Sequence, residues 1–223
     1  MSKYFVLWSG GVDSTDLVCR LLETKSTVCT FSVSYPAQIS GEENQMVARQ
    51  RLLPKIKDFF GVDFHHYEIN LSLAKNFSGI RCVTGSPQIL LWLSLGCLYL
   101  PVGFDSLAAG YVRGDDFWHF KADAEALVSS ASRIRESAVS LFLPLEWESK
   151  ARVVSDLVSK YPFYRDVWWC ESDLRKVSGS PCGECVSCRR FAEAVQEVSG
   201  KYSYRWPSGI KKSAQAFVAG HGS

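Results

Sequence analysis

Tyr4-Phe5-Val6-Leu7-Trp8-Ser9-Gly10-Gly11-Val12-Asp13-Ser14-Thr15-Asp16-Leu17-Val18-Cys19-Arg20-Leu21-Leu22 is the stretch that decides the fold of this chain. Tyr4 to Trp8 is a short apolar run of the kind that makes a buried strand, and Thr15 to Leu22 spaces its apolar residues as a helix does. A turn of serines and glycines lies between them. Strand, glycine turn and helix in that order form a cradle for an anion. The glycines let the backbone approach without Cβ interference, Ser9 and Ser14 add hydroxyls, and the first free N–H groups of the helix face the same spot. No Gly-Lys-Ser or Gly-Lys-Thr follows, so the common nucleotide loop, with its lysine on the terminal phosphates, is excluded. The structural alternative is a glycine-serine turn with a helix cap at Asp13 or Ser14. Placement at a first strand-to-helix turn favours the anion.

The chain has 223 residues, 47% of them hydrophobic, enough to bury one full core with at most a small appendage. Its net charge of +2 lacks the broad electropositive footprint of a nucleic-acid binder, so a small-molecule partner is expected. Lys3 is followed by only five apolar residues before the glycine turn, too few for a signal peptide, and a cytoplasmic location is expected. The apolar stretch from Ile89 to Phe104 is interrupted by Ser94, Gly96, Pro101 and Gly103. It falls short of a membrane span and reads as a buried core helix.

The eight cysteines divide by spacing. Cys19, Cys29, Cys82 and Cys97 are isolated among apolar residues, where cysteine acts as a small hydrophobe. Cys170, Cys182, Cys185 and Cys188 form two overlapping C-x-x-C steps with one cysteine upstream, and four thiolates suit one tetrahedral zinc. A redox pair or an iron–sulfur cluster is the alternative in a reducing compartment. Four soft ligands leave no open position for water, so the expected zinc is structural.

Along the chain, Thr27 to Ser34 reads as a second strand and residues 41–60 as a helix that Pro54 should kink or divide. Val62 to Ile69 reads as a third strand. Gly85-Ser86-Pro87 caps an apolar helix from Gln88 to Tyr99. Ser106 to Gly110 reads as a fourth strand, followed by the loop Arg113 to Phe120, a helix from Lys121 to Ser137, a strand from Ser140 to Pro144 and a helix from Ser149 to Lys160. Such alternation predicts an α/β fold with a doubly wound parallel sheet over residues 1–160. Residues 161–200 read as a zinc-held appendage and residues 201–223 as a loosely ordered tail.

Together these pieces resemble the 7-cyano-7-deazaguanine synthase family. The likeness runs from Ser9-Gly10-Gly11-Val12-Asp13-Ser14-Thr15, similar to the pyrophosphatase loop of ATP-cleaving enzymes that make acyl adenylates, to Cys182-Gly183-Glu184-Cys185-Val186-Ser187-Cys188-Arg189. Leu107-Ala108-Ala109-Gly110 with Asp116, and Pro144-Leu145 with Lys150, resemble that family's middle segments. The resemblance implies ATP and magnesium binding, adenylation of 7-carboxy-7-deazaguanine, addition of ammonia, and dehydration of the amide with a second ATP. It assigns ATP to Ser9, Gly10, Gly11, Val12, Asp13, Ser14, Thr15 and Gly110. Asp13, Ser14 and Lys150 are the expected catalytic residues, Asp13 as a magnesium ligand and Lys150 as a positive charge on the departing pyrophosphate. Tyr35, Asp115, Asp116, Phe117 and Trp118 are the expected substrate contacts, the carboxylates on a guanine-like edge and an aromatic on its ring. A homodimer is compatible with this reading.

Three loops depart from the family pattern. Val83-Thr84-Gly85-Ser86 replaces a proline-glycine-arginine-asparagine segment, Tyr35-Pro36-Ala37-Gln38 replaces a tyrosine-glycine-glutamine, and Asp116-Phe117-Trp118-His119 replaces a tyrosine-proline-aspartate-cysteine. All follow predicted strands, where ligands bind in open α/β sheets. They leave a protein amine as an alternative acceptor, as in diverged relatives from anti-phage operons. A tRNA-modifying enzyme with the same loop and a non-enzymatic zinc module are further alternatives.

Overall fold

The computed structural model describes residues 2–34, 42–70, 88–171 and 181–199. Five strands, β1 (Lys3–Leu7), β2 (Thr27–Ser34), β3 (His66–Asn70), β4 (Ser106–Ala109) and β5 (Ser140–Phe142), pair in parallel in the order β3-β2-β1-β4-β5. Among the described residues six α-helices connect and cover them: α1 (Val12–Glu23), α2 (Glu42–Phe60), α3 (Gln88–Tyr99), α4 (Lys121–Ile134), α5 (Lys150–Lys160) and α6 (Val186–Ser199). This is the doubly wound α/β fold expected from the alternation of strands and helices.

β1 has no polar face because the central strand of a parallel sheet is buried on both sides. Val6 and Trp8 enter a core with α1, α2, α5 and α6, while Phe5 and Leu7 enter a second core with α3 and α4. The chain runs outward through β2 and β3, then returns to the other side of β1 at β4. The order therefore reverses between β1 and β4, and Leu7 lies opposite Ala109. The residues that follow those two, the glycine turn and Gly110, open into the crevice where such sheets bind ligands.

Several boundaries differ from the sequence reading. β3 starts at His66, because Gly61 (φ 62°) closes α2 and His66 is the first residue to align with β2, at Thr30. Pro54 lies inside α2 without dividing it. α4 ends at Ile134, and Glu136 takes a left-handed conformation (φ 51°) just beyond it. α6 was not anticipated, although Phe191, Ala194, Val195 and Val198 recur at helical spacing and join the core of α1 and α5. Tyr161, Phe163 and Val167 join the same core. The expected cap at Gly85-Ser86-Pro87, the loop Tyr35–Gln38 and the tail 201–223 lie outside the described residues. Among the described residues no helix is long and apolar enough to cross a membrane.

Candidate nucleotide and metal site

Gly10 takes φ +80°, a conformation side chains rarely adopt, and a Cβ there would stand 2.9 Å from Arg49 Cγ and 3.0 Å from the Gln45 carbonyl. The turn is thus glycine for conformation and for space. Ser9 Oγ and Ser14 Oγ lie 3.0 Å apart, the Gly11 N–H donates to Ser9 Oγ (3.1 Å) and the Ser9 N–H donates to Ser14 Oγ (3.3 Å). Gly11 caps α1 without a side-chain hydrogen bond, so the helix N-terminus carries no capping side chain. Val12 and Thr15 turn inward: Val12 is buried in the core, and Thr15 Oγ1 accepts the Trp8 indole N–H at 3.1 Å.

Asp13 and Lys150 meet across 137 residues, with Lys150 Nζ hydrogen-bonded to Asp13 Oδ2. Ser149 caps α5 by accepting the Arg152 N–H, which sets Lys150 in the first turn. Among the described residues Asp13 Oδ1 is buried with no hydrogen-bond partner. Arg20 holds the two helices in this register: it donates to Asp16 (2.6 Å), Glu148 (3.0 Å) and Asp156 (3.1 Å). Burial pushes Asp16 up to about 7 in spite of that arginine. Gly110 closes the site from β4, where a Cβ would lie 2.8 Å from the Asp13 carbonyl oxygen.

Sequence reasoning missed Arg49, one charge within an amphipathic helix. Its side chain is 1% exposed, and it donates to the Ser9 carbonyl (3.1 Å), to Ser34 Oγ (3.0 Å) and to Glu68 (3.0 Å). His66 beside Glu68, together with Ser34 and Arg49, outweighs burial and holds the Glu68 carboxyl down to about 2. A buried cation therefore sits behind the turn, and only its packing under Gly10 reveals it.

The loop after β4 carries the remaining candidates. Asp115 accepts the Val112 N–H (3.0 Å) and an Arg190 N–H (2.9 Å), and burial with the nearby Asp13 charge pushes it up to about 6. Lys150 and Arg190 oppose that rise. Asp116 is exposed at the start of a 3₁₀ turn, Asp116–Phe120. Phe117 is buried and stacked on Tyr111 (centroids 4.2 Å apart), while Trp118 donates its indole N–H to the Val112 carbonyl at 2.7 Å. A cavity of about 240 Å³ lies between this loop, the start of α5 and α6, lined by Arg113, Asp115, Ser149, Lys150, Arg190, Glu193 and Glu197 among others. The structure brings Ser9–Ser14, Gly110, Asp115 and Lys150 to one end of the sheet. Tyr35 lies outside the described residues.

Cys170, Cys182, Cys185 and Cys188 converge so that their sulfurs all lie within 4.8 Å of one another. Gly183 (φ 79°) turns the chain so that the N–H groups of Glu184 and Cys185 reach Cys182 Sγ at 3.4 and 3.3 Å. Burial opposes ionisation of Cys182, but those donors bring it down to about 6, favouring a thiolate. Four mutually close thiols with backbone N–H donors fit a single metal ion or cluster. Cys19, Cys29 and Cys97 are buried apart from this group, and burial raises all three thiols.

No protein-family model matches the chain. It is 25% identical over 214 residues to a 7-cyano-7-deazaguanine synthase of Sulfurihydrogenibium sp. (strain YO3AOP1), spanning 86% of this chain and 93% of that protein. The resemblance drawn from the motifs is borne out by this similarity. Among solved structures, a 4-thiouridine synthetase–RNA complex with bound ATP shares the fold (TM-score 0.50, 13% identity), covering 96% of this chain and 53% of that one. A U34-tRNA thiolase from Methanococcus maripaludis with its 4Fe–4S cluster gives TM-score 0.45 at 16% identity, covering 98% and 71%. A predicted subunit of tRNA methyltransferase from Methanocaldococcus jannaschii gives TM-score 0.43 at 16% identity, covering 89% of each chain.

Proposed function

We propose that this chain is an ATP-dependent synthase of the 7-cyano-7-deazaguanine synthase type, which activates 7-carboxy-7-deazaguanine as an acyl adenylate. The observation that carries the reading is the glycine-serine turn at the sheet's switch point with the Lys150–Asp13 pair beside it. Such a site supplies donors for a triphosphate without a P-loop lysine. A carboxylate oxygen of the substrate attacks the α-phosphorus of ATP and pyrophosphate leaves. Ammonia then attacks the acyl carbon and expels AMP, giving the amide. The amide oxygen attacks the α-phosphorus of a second ATP and expels a second pyrophosphate, and loss of AMP with two protons gives the nitrile.

In this scheme the N-terminus of α1 and the hydroxyls of Ser9 and Ser14 bind the phosphates. Lys150 Nζ, held in place by Asp13, stabilises charge on the departing pyrophosphate. Asp13 Oδ1 is an oxygen ligand without a partner among the described residues, which fits the magnesium that accompanies ATP and would neutralise the triphosphate. Four thiolates fit a structural zinc that ties Cys170 to the start of α6. Asp116 and Trp118 stand on the loop that would meet the purine, while Phe117 belongs to the packing beneath it.

A second acceptor, an amine on a partner protein, is favoured by the departures at Tyr35–Gln38, Val83–Ser86 and Asp116–His119. Incubation with ATP, 7-carboxy-7-deazaguanine and ammonium, followed by mass analysis, tests the first, and an amide-linked conjugate to an added amine-bearing protein, without nitrile, supports the second. AMP, pyrophosphate and the nitrile support the synthase reading; the free amide alone points to an enzyme that stops after one adenylation. ADP and phosphate would refute both.

A further inference from the structure

All peptide bonds of the described residues are trans, so each carbonyl and its N–H point to opposite sides of the chain. In the glycine turn two successive carbonyls are pinned by outside donors. Arg49 holds the Ser9 carbonyl (3.1 Å), and the backbone N–H of Trp168 holds the Gly10 carbonyl (3.1 Å). Pinning these carbonyls fixes the N–H groups of Gly10 and Gly11 in the opposite direction, where the Gly11 N–H meets Ser9 Oγ (3.1 Å), so the turn and the hydroxyl beside it are held in one arrangement for an anion. Gly11 also forms an isolated parallel bridge with Trp168, and a Cβ on Gly11 would stand 3.3 Å from the Trp168 carbonyl oxygen.

Trp168 is equally tied in the other direction. Its indole N–H donates to the Cys170 carbonyl at 2.6 Å, and Trp168 and Trp169 pack against the cysteine cluster. Cys170 Sγ in turn accepts the Cys182 N–H at 3.3 Å. One residue therefore joins a metal ligand to the loop by two hydrogen bonds.

We propose that Trp168 is a positioning residue that couples the four-cysteine metal centre to the phosphate loop, so that metal occupancy strengthens nucleotide binding. This rests on reading Ser9 to Ser14 as a triphosphate cradle. Coupling between two sites is reciprocal: nucleotide must tighten metal binding by the factor by which metal tightens nucleotide binding. Arg49 holds its carbonyl independently of the cysteines, so metal removal loosens one of two pins and weakens the cradle without abolishing it. A coupling of about 5- to 100-fold is the range such a link produces.

The full-length protein is loaded with zinc and titrated with a non-hydrolysable ATP analogue by calorimetry, before and after zinc removal with a chelator. Circular dichroism reports whether the fold persists. In parallel, chelator competition measures zinc retention with and without the analogue. The expected result is a matching loss in both arms. Zinc-loaded Trp168→Phe keeps the backbone N–H but removes the indole link. It should retain zinc, bind the analogue several-fold more weakly, and show zinc retention that no longer responds to the analogue. If stripped protein unfolds, any ligand of the folded state slows zinc loss, and the analogue affinity of zinc-loaded Trp168→Phe against zinc-loaded wild type decides, equal affinities overturning the proposal. Equal analogue affinity in folded zinc-free and zinc-loaded protein, or undiminished coupling in Trp168→Phe, would overturn the proposal. Failure of zinc-loaded wild type to bind any analogue would overturn the cradle reading first, and the coupling with it.

Discussion

Gly110→Ala tests whether the crevice between β1 and β4 is the nucleotide site. The new Cβ would lie 2.8 Å from the Asp13 carbonyl oxygen, 2.9 Å from its carbon and 3.1 Å from Ser14 Cα. All three are backbone atoms of the first turn of α1, so no side chain can swing aside. Reaching 3.4 Å, where ordinary contact begins, requires a shift of about 0.6 Å in α1 or in the end of β4. That shift moves Asp13 and Ser14 together. A misplacement near 1 Å can cost about 100-fold in a positioned site, so a loss of roughly 10- to 100-fold in ATP affinity or turnover is expected. The overpacking itself should cost about 1–3 kcal/mol of stability. Gly96→Ala is the control: the nearest atoms to its Cβ are the side-chain tips of Leu107 (3.0 Å) and Leu7 (3.1 Å), which can give where the α1 backbone cannot. Calorimetric titration with an ATP analogue and thermal melts of both variants give the comparison. Gly110→Ala binding the analogue like wild type would refute the placement of the site.

Lys150→Met removes the partner of Asp13, and turnover should fall about 100- to 1000-fold with the melting temperature nearly unchanged; an activity within a few-fold of wild type would exclude Lys150 from the chemistry. Cys185→Ser should yield insoluble or metal-free protein, since four-ligand zinc sites contribute about 10–16 kcal/mol, whereas Cys97→Ser, away from the cluster, should retain zinc in elemental analysis. Glu68, held near 2 against an ordinary 4.5, adds stability that is present above 4.5 and is lost as pH falls towards 2. Denaturant midpoints of Glu68→Gln should therefore be lower than wild type at neutral pH and flatter across that acid window; identical profiles would show that the Arg49–Glu68 pair is idle.

The strand-turn-helix signal at residues 4–22 was legible because period, glycine placement and polarity agree there, and the alternation after it predicted a parallel sheet but not the order β3-β2-β1-β4-β5. Lys150 was legible only through its resemblance, since nothing local shows that a lysine at the start of α5 meets Asp13 at the start of α1. Arg49 was hidden because its role comes from burial under Gly10, a tertiary fact. α6 was missed for another reason: Cys185 and Cys188 drew the reading towards metal chemistry and away from the apolar spacing of Phe191, Ala194, Val195 and Val198. Phe117 and Trp118 looked alike in sequence, yet one is stacked under Tyr111 and the other bonds the backbone of its own loop.

The formation of an acyl adenylate is tested most directly by isotope transfer. 7-Carboxy-7-deazaguanine carrying ¹⁸O in both carboxylate oxygens is incubated with ATP and ammonium, and AMP and the deazaguanine product are weighed by mass spectrometry. Attack on the α-phosphorus followed by acyl transfer moves one ¹⁸O into AMP, and dehydration of the amide moves the other into a second AMP. The expected result is singly labelled AMP, two per unlabelled nitrile, or one per amide that keeps one ¹⁸O if the reaction stops at acyl transfer. Unlabelled AMP, or label found in phosphate beside ADP, would contradict the pyrophosphatase reading of Ser9 to Ser14.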